Sequence, residues 1–429
     1  MTLPTTYFDN RYSYRERPLD ALDYTLFLSG IWLVCGLGVV LRFIGPFFVV
    51  IPVGICLLYA LSRLTVPPRV LSAYLVYCGF IAFLSTFRML PTSWQTYFMS
   101  EAIVRQMVPM LAFFAVAWAS KAYFRRMIYS GDVFLGAYTI LALSLVVAPI
   151  VMFQQDRVYQ GDDVASSILA SYGSFLNHNT IAMFYILAII FLTHGFSRYI
   201  GLTYVVVIAA TSHFAQFRVL AAAIFVTSFG LSGRLAAIVT MIILPTSYAL
   251  GIYLHANGTF LLPNWGIRVE FVRDALSSVI DTYGAGIGFG TESVKWRYYF
   301  PGGGVFTFLA DPNSMTPDSM LEAMSTGVEN SFVQALMRTG VPGFVLFVTA
   351  MLCAFPPSQL PRKVRDHAAL CFCMIFIACF VNSSLESPLS AVGVGFVYGY
   401  LLALRAWTCR LKRNSALKWL DERQPSLAA

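Results

Sequence analysis

The chain has 429 residues and a net charge of +8, and 58% of its residues are hydrophobic while only 12% are charged. With a mean hydropathy of +0.69, it cannot fold around one aqueous core, which excludes a soluble enzyme or regulatory protein. The basic residues are scattered over short connections and do not form a patch, which excludes nucleic acid as a partner.

Apolar segments recur at about the 20-residue length that a membrane-spanning helix needs. The sequence predicts an all-α polytopic membrane protein with about twelve transmembrane helices. They lie near residues 24–41, 43–62, 70–87, 102–120, 132–153, 175–196, 200–217, 219–233, 235–254, 331–355, 367–384 and 388–406.

Lys and Arg are distributed unequally between alternate connections, and basic residues stay on the cytoplasmic side. With the N-terminus inside, nineteen fall on the cytoplasmic side, nine fall outside and Arg105 lies within a span. Both termini are therefore predicted to be cytoplasmic and the long loop to face outward, which in a Gram-negative cell means the periplasm. The predicted layout is a cytoplasmic segment 1–23, nine spans over 24–254, a periplasmic loop 255–329, three spans over 330–406 and a basic cytoplasmic tail 407–429.

The 255–329 loop is the longest polar interruption, and we expect the chemistry there. Within it, apolar residues at helical spacing predict an amphipathic helix over about 266–280. Those residues are Ile267, Phe271, Ala275, Leu276 and Ile280. A glycine triplet follows at Gly286, Gly288 and Gly290; it is similar to a phosphate-cradling loop but lacks the surrounding strand and helix of a nucleotide site.

Polar side chains within the spans lie almost entirely toward the outer ends, although each is costly to insert into the bilayer. They are Arg105, Asn177, His178, Asn179, His213, Gln216, Arg218, Arg338, Asn382 and Glu386. This asymmetry predicts a cationic cavity open to the periplasm, suited to an anionic lipid-linked pyrophosphate, because arginine binds phosphate bidentately. A transporter would instead place ionisable groups at the midplane and show broken helices, which the sequence does not reveal.

Several of these residues also have simpler structural explanations. Arg273 lies three residues after Glu270 on the predicted helix and can form a surface ion pair, whereas Arg268 has no acidic partner on its own helix face. Arg218 can extend to the interface from a helix end. His178 is either a proton acceptor or a hydrogen-bonding core residue.

A polar stripe is predicted on the tenth span. Asn330, Gln334 and Arg338 are four residues apart and share one helix face, with Glu329 directly before it. They either line the site or hydrogen-bond to neighbouring helices.

All eight cysteines fall in or beside predicted spans, so no disulfide framework is expected. Cys371-Phe-Cys373 lacks the second pair of a zinc site, and we expect no metal and no other cofactor.

Three stretches together resemble a known family. They are Arg268-Val-Glu-Phe-Val-Arg-Asp-Ala-Leu276, Gly284-Ala-Gly-Ile-Gly-Phe-Gly290 and Glu329-Asn-Ser-Phe-Val-Gln-Ala-Leu-Met-Arg-Thr-Gly-Val-Pro-Gly343. In order and separation they are similar to the motifs of the bacterial O-antigen ligase and Wzy-type polysaccharide polymerase family. The Gln216-Phe-Arg218 junction resembles that family's Ser-Arg element.

Two positions depart from the family pattern. Val272 stands at the usual tryptophan position and Glu329 at the usual loop histidine, which leaves the identity of the catalytic base open. A carboxylate can accept the same proton. The length and the histidine-to-glutamate departure also resemble the polymerases of secreted heteropolysaccharides such as xanthan.

The resemblance implies a C-type glycosyltransferase-like membrane fold acting on an undecaprenyl-pyrophosphate-linked oligosaccharide. Arg218 and Arg268 would bind the donor pyrophosphate and Glu329 would be the base, without metal. The implied substrate-binding residues are Arg273, Asn330, Arg338, Arg105, His178 and Gln216.

The same resemblance implies a flippase, a chain-length regulator and an export channel as partners. Two alternatives remain open: a ligase that transfers finished glycan to lipid A core, and a polysaccharide exporter or flippase.

Overall fold

The computed structural model describes residues 23, 50–87, 93–130, 232–257, 263–290, 330–381 and 388–423. These residues form helices and their connections, and no strand is present among them. The helices are α1 (Val50–Ser62), α2 (Arg69–Phe87), α3 (Ser93–Ser130), α4 (Gly233–Ala256), α5 (Pro263–Asp281), α6 (Ser331–Cys353), α7 (Arg362–Val381) and α8 (Pro388–Arg423).

Within the described ranges, five helices are long and apolar enough to cross a membrane, and they lie in α2, α3, α4, α6 and α8. They correspond to five predicted spans, so the chain is a helical membrane protein. Helices α1 and α7 cover the predicted spans 43–62 and 367–384 in part. The predicted spans 24–41, 132–153, 175–196, 200–217 and 219–233 lie outside the described residues, except for residues 232 and 233 at the end of the last one.

Helix ends differ from the prediction where charged residues continue a helix beyond its apolar part. Helix α3 reaches Ser130 although its predicted span ends at residue 120, and α8 continues to Arg423, through most of the predicted tail. Long basic side chains can extend from a helix end to the headgroups, so a charge does not end the helix.

The α3–α8 interface depends on small residues. A side chain at Gly395 would lie 2.7 Å from the Phe113 carbonyl oxygen, and one at Gly399 would lie 2.5 Å from that of Ala117. This is the close backbone approach that a Gly-x3-Gly pattern permits between membrane helices. Helix α8 therefore packs against α3 over a long contact, with Tyr398 and Phe113 in edge contact.

Helix α7 is buried on all sides, from His367 to Cys379, and so lies at the centre of the bundle. Phe332 at the start of α6 contacts Phe376 and Phe380 of α7, with ring centroids 5.2 and 5.5 Å apart. The cysteines of α7 pack as small apolar side chains, since Cys371 and Cys373 are both buried and free.

The described helix ends gather into two groups, as alternating topology requires. At one end the Gly233 amide donates to Asp366 Oδ1 at 3.0 Å, and Arg405 donates to the Cys353 carbonyl at 2.8 Å. These are connections predicted to be cytoplasmic. The end of α2, the residues after α5 and the start of α6 meet in the opposite group, described next.

Candidate functional site

The structure describes the candidate residues to different extents. Arg273, Asn330 and Arg338 are described with their side chains, whereas Arg105 and Arg268 are placed as backbone in α3 and α5. Four further candidates lie outside the described residues: Glu329, Arg218, His178 and Gln216.

Helix α5 confirms the amphipathic helix predicted in the outer loop, with slightly wider bounds. Its buried face is different from the predicted one: Val269, Val272, Ala275 and Val279 are buried, while Ile280 is 74% exposed. The prediction was wrong at Ile280 because the helix packs with Val272 and Ala275 against α4 and α6. Val272, at the usual tryptophan position of the resembled family, is a packing residue.

Arg273 is exposed and lies beside this packed face of α5, one turn after the buried Val269. It is therefore accessible to a ligand from outside the bundle. Arg268 is five residues earlier, on the same helix.

Helix α6 is interrupted at Gly340, whose φ of 66° and ψ of −170° lie outside the helical region. The segment 284–290 inserts against this break, and we call it the glycine loop. Positive φ angles at Gly284, Gly286, Gly288 and Gly290 give the glycine loop its shape, which residues with a Cβ rarely adopt.

The contact between glycine loop and break is too close for side chains. A Cβ on Gly286 would lie 2.5 Å from the Gly340 nitrogen, and one on Gly340 would lie 2.5 Å from the Ala285 carbonyl oxygen. Glycine is thus needed on both sides of the contact.

Backbone hydrogen bonds account for why the break is tolerated inside the bundle. In a regular helix the Arg338 carbonyl would accept from residue 342, but Pro342 has no N–H. Gly288 supplies that donor at 3.1 Å, Ile287 donates to the Met337 carbonyl at 2.8 Å, and Val341 donates to the Gly284 carbonyl at 2.8 Å. The glycine loop therefore replaces the helical hydrogen bonds that the break removes.

These bonds decide the interpretation of the glycine triplet. Gly286 donates to Thr282 Oγ1 at 3.1 Å, Phe289 to Ser85 Oγ at 3.0 Å and Gly290 to Gln106 Oε1 at 2.9 Å. Since protein acceptors take the amides from Gly286 to Gly290, the similarity to a phosphate-cradling loop is not functional. The glycines serve the fold.

Ser85 and Gln106 are site residues that the sequence analysis missed. They come from α2 and α3 and hold the last two residues of the glycine loop against those helices. Gln106 is buried and directly follows the candidate Arg105. The sequence signal that could have identified Gln106 is its polar side-chain amide within an apolar span.

Arg338 is the largest fully buried side chain among the described residues, with 1% of its surface exposed. Its guanidinium carbon lies 5.9 Å from the ring centroid of Phe289. This placement beneath the glycine loop favours a supporting role over direct contact with a headgroup. Gln334, one turn earlier, is also buried, which confirms the predicted polar stripe.

Asn330 is the N-cap of α6. Its side-chain oxygen accepts from the Phe332 and Val333 amides at 3.0 and 3.1 Å, as N-cap residues do. Its Nδ2 is buried and makes no hydrogen bond with any described residue. The capping role, not anticipated from the sequence, holds the backbone beside Glu329.

Among the residues that the structure describes, no group of three or more His, Cys, Asp or Glu side chains could hold a metal ion. Compared with protein-family models, curated proteins and solved structures, the chain matches none. The site is therefore characterised by its own geometry: a helix with Arg273 exposed, a break in α6 filled by the glycine loop, and a capped start of α6.

Proposed function

We propose that the chain is an inner-membrane polysaccharide polymerase. It would join undecaprenyl-pyrophosphate-linked oligosaccharide repeat units at the periplasmic face, with inversion and without metal. The proposed substrate class rests on the resemblance of three sequence stretches to the O-antigen ligase and Wzy-type polymerase family. The packing of these stretches against one another gives a reason why they occur together.

The observation that carries the proposal is the meeting of those stretches in one interlocked unit. Helix α5 bears Arg268 and Arg273, the glycine loop follows it, and both pack against the first half of α6. The three stretches thereby pack into one unit that includes Asn330, the N-cap of α6. A fixed frame is what group transfer between two bound substrates needs, because misplacement by about 1 Å can cost 100-fold in rate.

In the proposed reaction, Glu329 accepts the proton of the acceptor sugar hydroxyl, and the oxygen attacks C1 of the donor sugar. The bond between C1 and the pyrophosphate oxygen breaks, and undecaprenyl pyrophosphate leaves with both bonding electrons. Arg218 and Arg268 stabilise the negative charge that grows on this leaving group. Because the acceptor oxygen attacks C1 from the side opposite the leaving pyrophosphate, the configuration at C1 is inverted.

The remaining candidates have secondary roles in this proposal. Arg273 is exposed and can contact the pyrophosphate or the sugar, whereas Arg338 and Asn330 position the glycine loop and the backbone beside Glu329. Arg105, His178 and Gln216 would line the acceptor side.

The test uses purified full-length protein in lipid, supplied with undecaprenyl-pyrophosphate-linked repeat units and a metal chelator. Polymer ladders are expected from wild type and should be lost in Arg268→Ala and in Glu329→Gln. Glu270→Gln and Arg362→Ala are the matched controls: the first removes a carboxylate from α5, and the second an arginine that is 70% exposed at the other end of the bundle. Both controls should retain the ladders.

The outcomes separate the proposal from its alternatives. Ladders that persist in Glu329→Gln would assign the base elsewhere, with His178 the next residue to change. Transfer to a lipid A core acceptor without polymer would identify a ligase. If well-folded wild type forms neither product, the glycosyltransferase proposal is refuted.

One observation bears on the exporter alternative. Transporters often bind ions where a broken helix exposes backbone groups, and α6 is broken, which the sequence analysis did not foresee. Here the glycine loop satisfies the backbone groups of the break. The break thus supports a fixed frame and not an ion site, which keeps the exporter the weaker proposal.

A further inference from the structure

The glycine loop lies deep along the helices that hold it. Its last two residues donate hydrogen bonds to Ser85 of α2 and Gln106 of α3. Ser85 is sixteen residues after Arg69, the first residue of α2, which corresponds to about 24 Å along the helix. Gln106 is fifteen residues before Lys121, whose ammonium donates to the Val66 carbonyl in the α1–α2 connection, and this corresponds to about 22 Å. Both distances start at the end of the bundle that is predicted to be cytoplasmic.

Helix α6 gives a third measure of this depth. Gly340, which contacts the glycine loop, is thirteen residues before Cys353, where α6 ends, and this corresponds to about 20 Å. Each starting point is a basic residue or, at Cys353, accepts a hydrogen bond from Arg405, and so lies near the inner boundary of the hydrocarbon. The hydrocarbon core is about 30 Å thick, so the glycine loop lies inside it, about 6 to 10 Å short of the outer boundary. Helix tilt shortens each distance along the membrane normal and therefore places the glycine loop deeper still.

The backbone of the glycine loop has the properties that this depth requires. Irregular backbone inside the hydrocarbon is tolerated only where it is buried in protein and its polar groups are satisfied. All residues from Gly286 to Gly290 are buried, and each of their five amides donates to a protein acceptor. A loop in the periplasm could use water instead. The glycine loop is therefore suited to a place without water.

The end of α5 exposes apolar side chains next to an exposed apolar face of α6. Ile280 is 74% exposed and Tyr283 is fully exposed. On α6, Val341 and Val345 are four residues apart, share a face and are about half exposed. Val341 donates to the Gly284 carbonyl at 2.8 Å, so the end of α5 lies directly against this face of a helix that is apolar enough to cross the membrane. The two surfaces are continuous, and one partner can cover both.

We propose that the end of α5 and the glycine loop form a re-entrant segment that enters the leaflet on the predicted periplasmic side, where Ile280 and Tyr283 pack against acyl chains. The partner is the lipid bilayer itself, because the three measures place this surface within the hydrocarbon. The phenol of Tyr283 can reach the headgroups from there, as interfacial tyrosines do. The loop 255–329, expected to be periplasmic, thus has a part within the membrane. The proposal does not depend on which reaction the chain carries out.

The experiment is site-directed spin labelling of the full-length protein in vesicles of phosphatidylethanolamine and phosphatidylglycerol. Cys35→Ser/Cys353→Ser/Cys409→Ser is the background, since the other five cysteines are buried, and its residual labelling is measured first. A label is then placed at Ile280→Cys or at Tyr283→Cys. Collisions of the label with oxygen, which concentrates in the hydrocarbon, are compared with collisions with a nickel chelate that stays in water.

Two positions outside this surface serve as references. Val345→Cys is eight residues, or about 12 Å, from the inner end of α6 and marks the hydrocarbon. Asn257→Cys is exposed directly after α4, 24 residues or about 36 Å from Gly233, and marks water. The ratio of oxygen to nickel collisions at both labelled positions should lie between the two references and nearer to that of Val345→Cys.

Each other outcome overturns the proposal. A ratio nearer to that of Asn257→Cys at either position would show an aqueous surface. Low access to both reagents would show that another part of the protein covers Ile280 and Tyr283. Each label replaces a largely exposed side chain, so both variants should fold as the background does, and size-exclusion profiles before reconstitution check this.

Discussion

Replacing Gly340 by alanine should disrupt the junction between α6 and the glycine loop. The new Cβ would contact the Gly284 and Ala285 carbonyls, which are backbone atoms and cannot rotate away. The φ of 66° with a ψ of −170° is nearly restricted to glycine, and holding alanine there costs about 1 to 3 kcal/mol. A shift that relieves the clash breaks one or two of the three junction hydrogen bonds, each worth about 1 kcal/mol.

Together these effects should lower the free energy of unfolding by about 2 to 5 kcal/mol. Equilibrium unfolding in mixed detergent micelles, titrated with dodecyl sulfate, measures this difference. Gly79→Ala is the matched control, since Gly79 lies in α2, which packs on α6, and a Cβ added there would meet no described atom within 4 Å beyond its own helix. That control should be neutral or stabilising by up to about 1 kcal/mol through helix propensity. Equal unfolding free energies for the two variants would refute the assignment of Gly340 as a steric requirement.

Three further predictions test other parts of the structure. Asn330→Ala should lose the N-cap of α6 and about 1 kcal/mol of stability, while Asn330→Ser, which can still cap, should lose little; equal losses in the same unfolding assay would contradict capping. Gln106→Ala should leave the Gly290 amide without its acceptor, which should lower the free energy of unfolding by about 1 to 3 kcal/mol and speed hydrogen exchange at residue 290. Gln106→Glu retains an acceptor and is the control. Unchanged exchange in the alanine variant would count against the contact. Asp23→Asn should lower the free energy of unfolding by about 3 kcal/mol, which is at the low end for a broken buried ion pair because Arg63 and Arg126 keep some exposure. A smaller loss of stability than that of Tyr59→Phe would contradict the ion-pair cluster.

The sequence predicted the helices well because apolar length and helical spacing are local properties. The predicted spans at 70–87 and 235–254, and the helix in the outer loop, agree with α2, α4 and α5 to within a few residues. The ends of α3 were not predictable from hydropathy, because Lys121 and Arg125 remain helical while their side chains reach the surface. The polar stripe from Asn330 to Arg338 was predictable because a helix places every fourth residue on one face.

The interior of the candidate site was less predictable because it depends on contacts between distant parts of the chain. The Gly340-Val-Pro-Gly343 stretch contains residues that favour a helix break, a signal that the sequence analysis did not use. Only the fold brings Gly288 to the Arg338 carbonyl. The glycine spacing was similar to that of a phosphate-cradling loop but lacked the strand and helix of a nucleotide site, and the hydrogen bonds of this segment exclude that role. Ser85 could not be found from sequence, since a serine in an apolar span more often bonds only its own helix, as Ser85 also does with Ile81.

The break in α6 has a consequence for biogenesis. Before the glycine loop is in place, the Met337 and Arg338 carbonyls and the Val341 amide would face lipid unsatisfied, which costs several kcal/mol for each group. The glycine loop precedes α6 in the chain, so it is synthesised first and must fold back as α6 leaves the translocation machinery. The second half of α6 can thus settle stably in the bilayer only after the glycine loop has met the break, which makes correct placement of the preceding segment a condition of stable assembly.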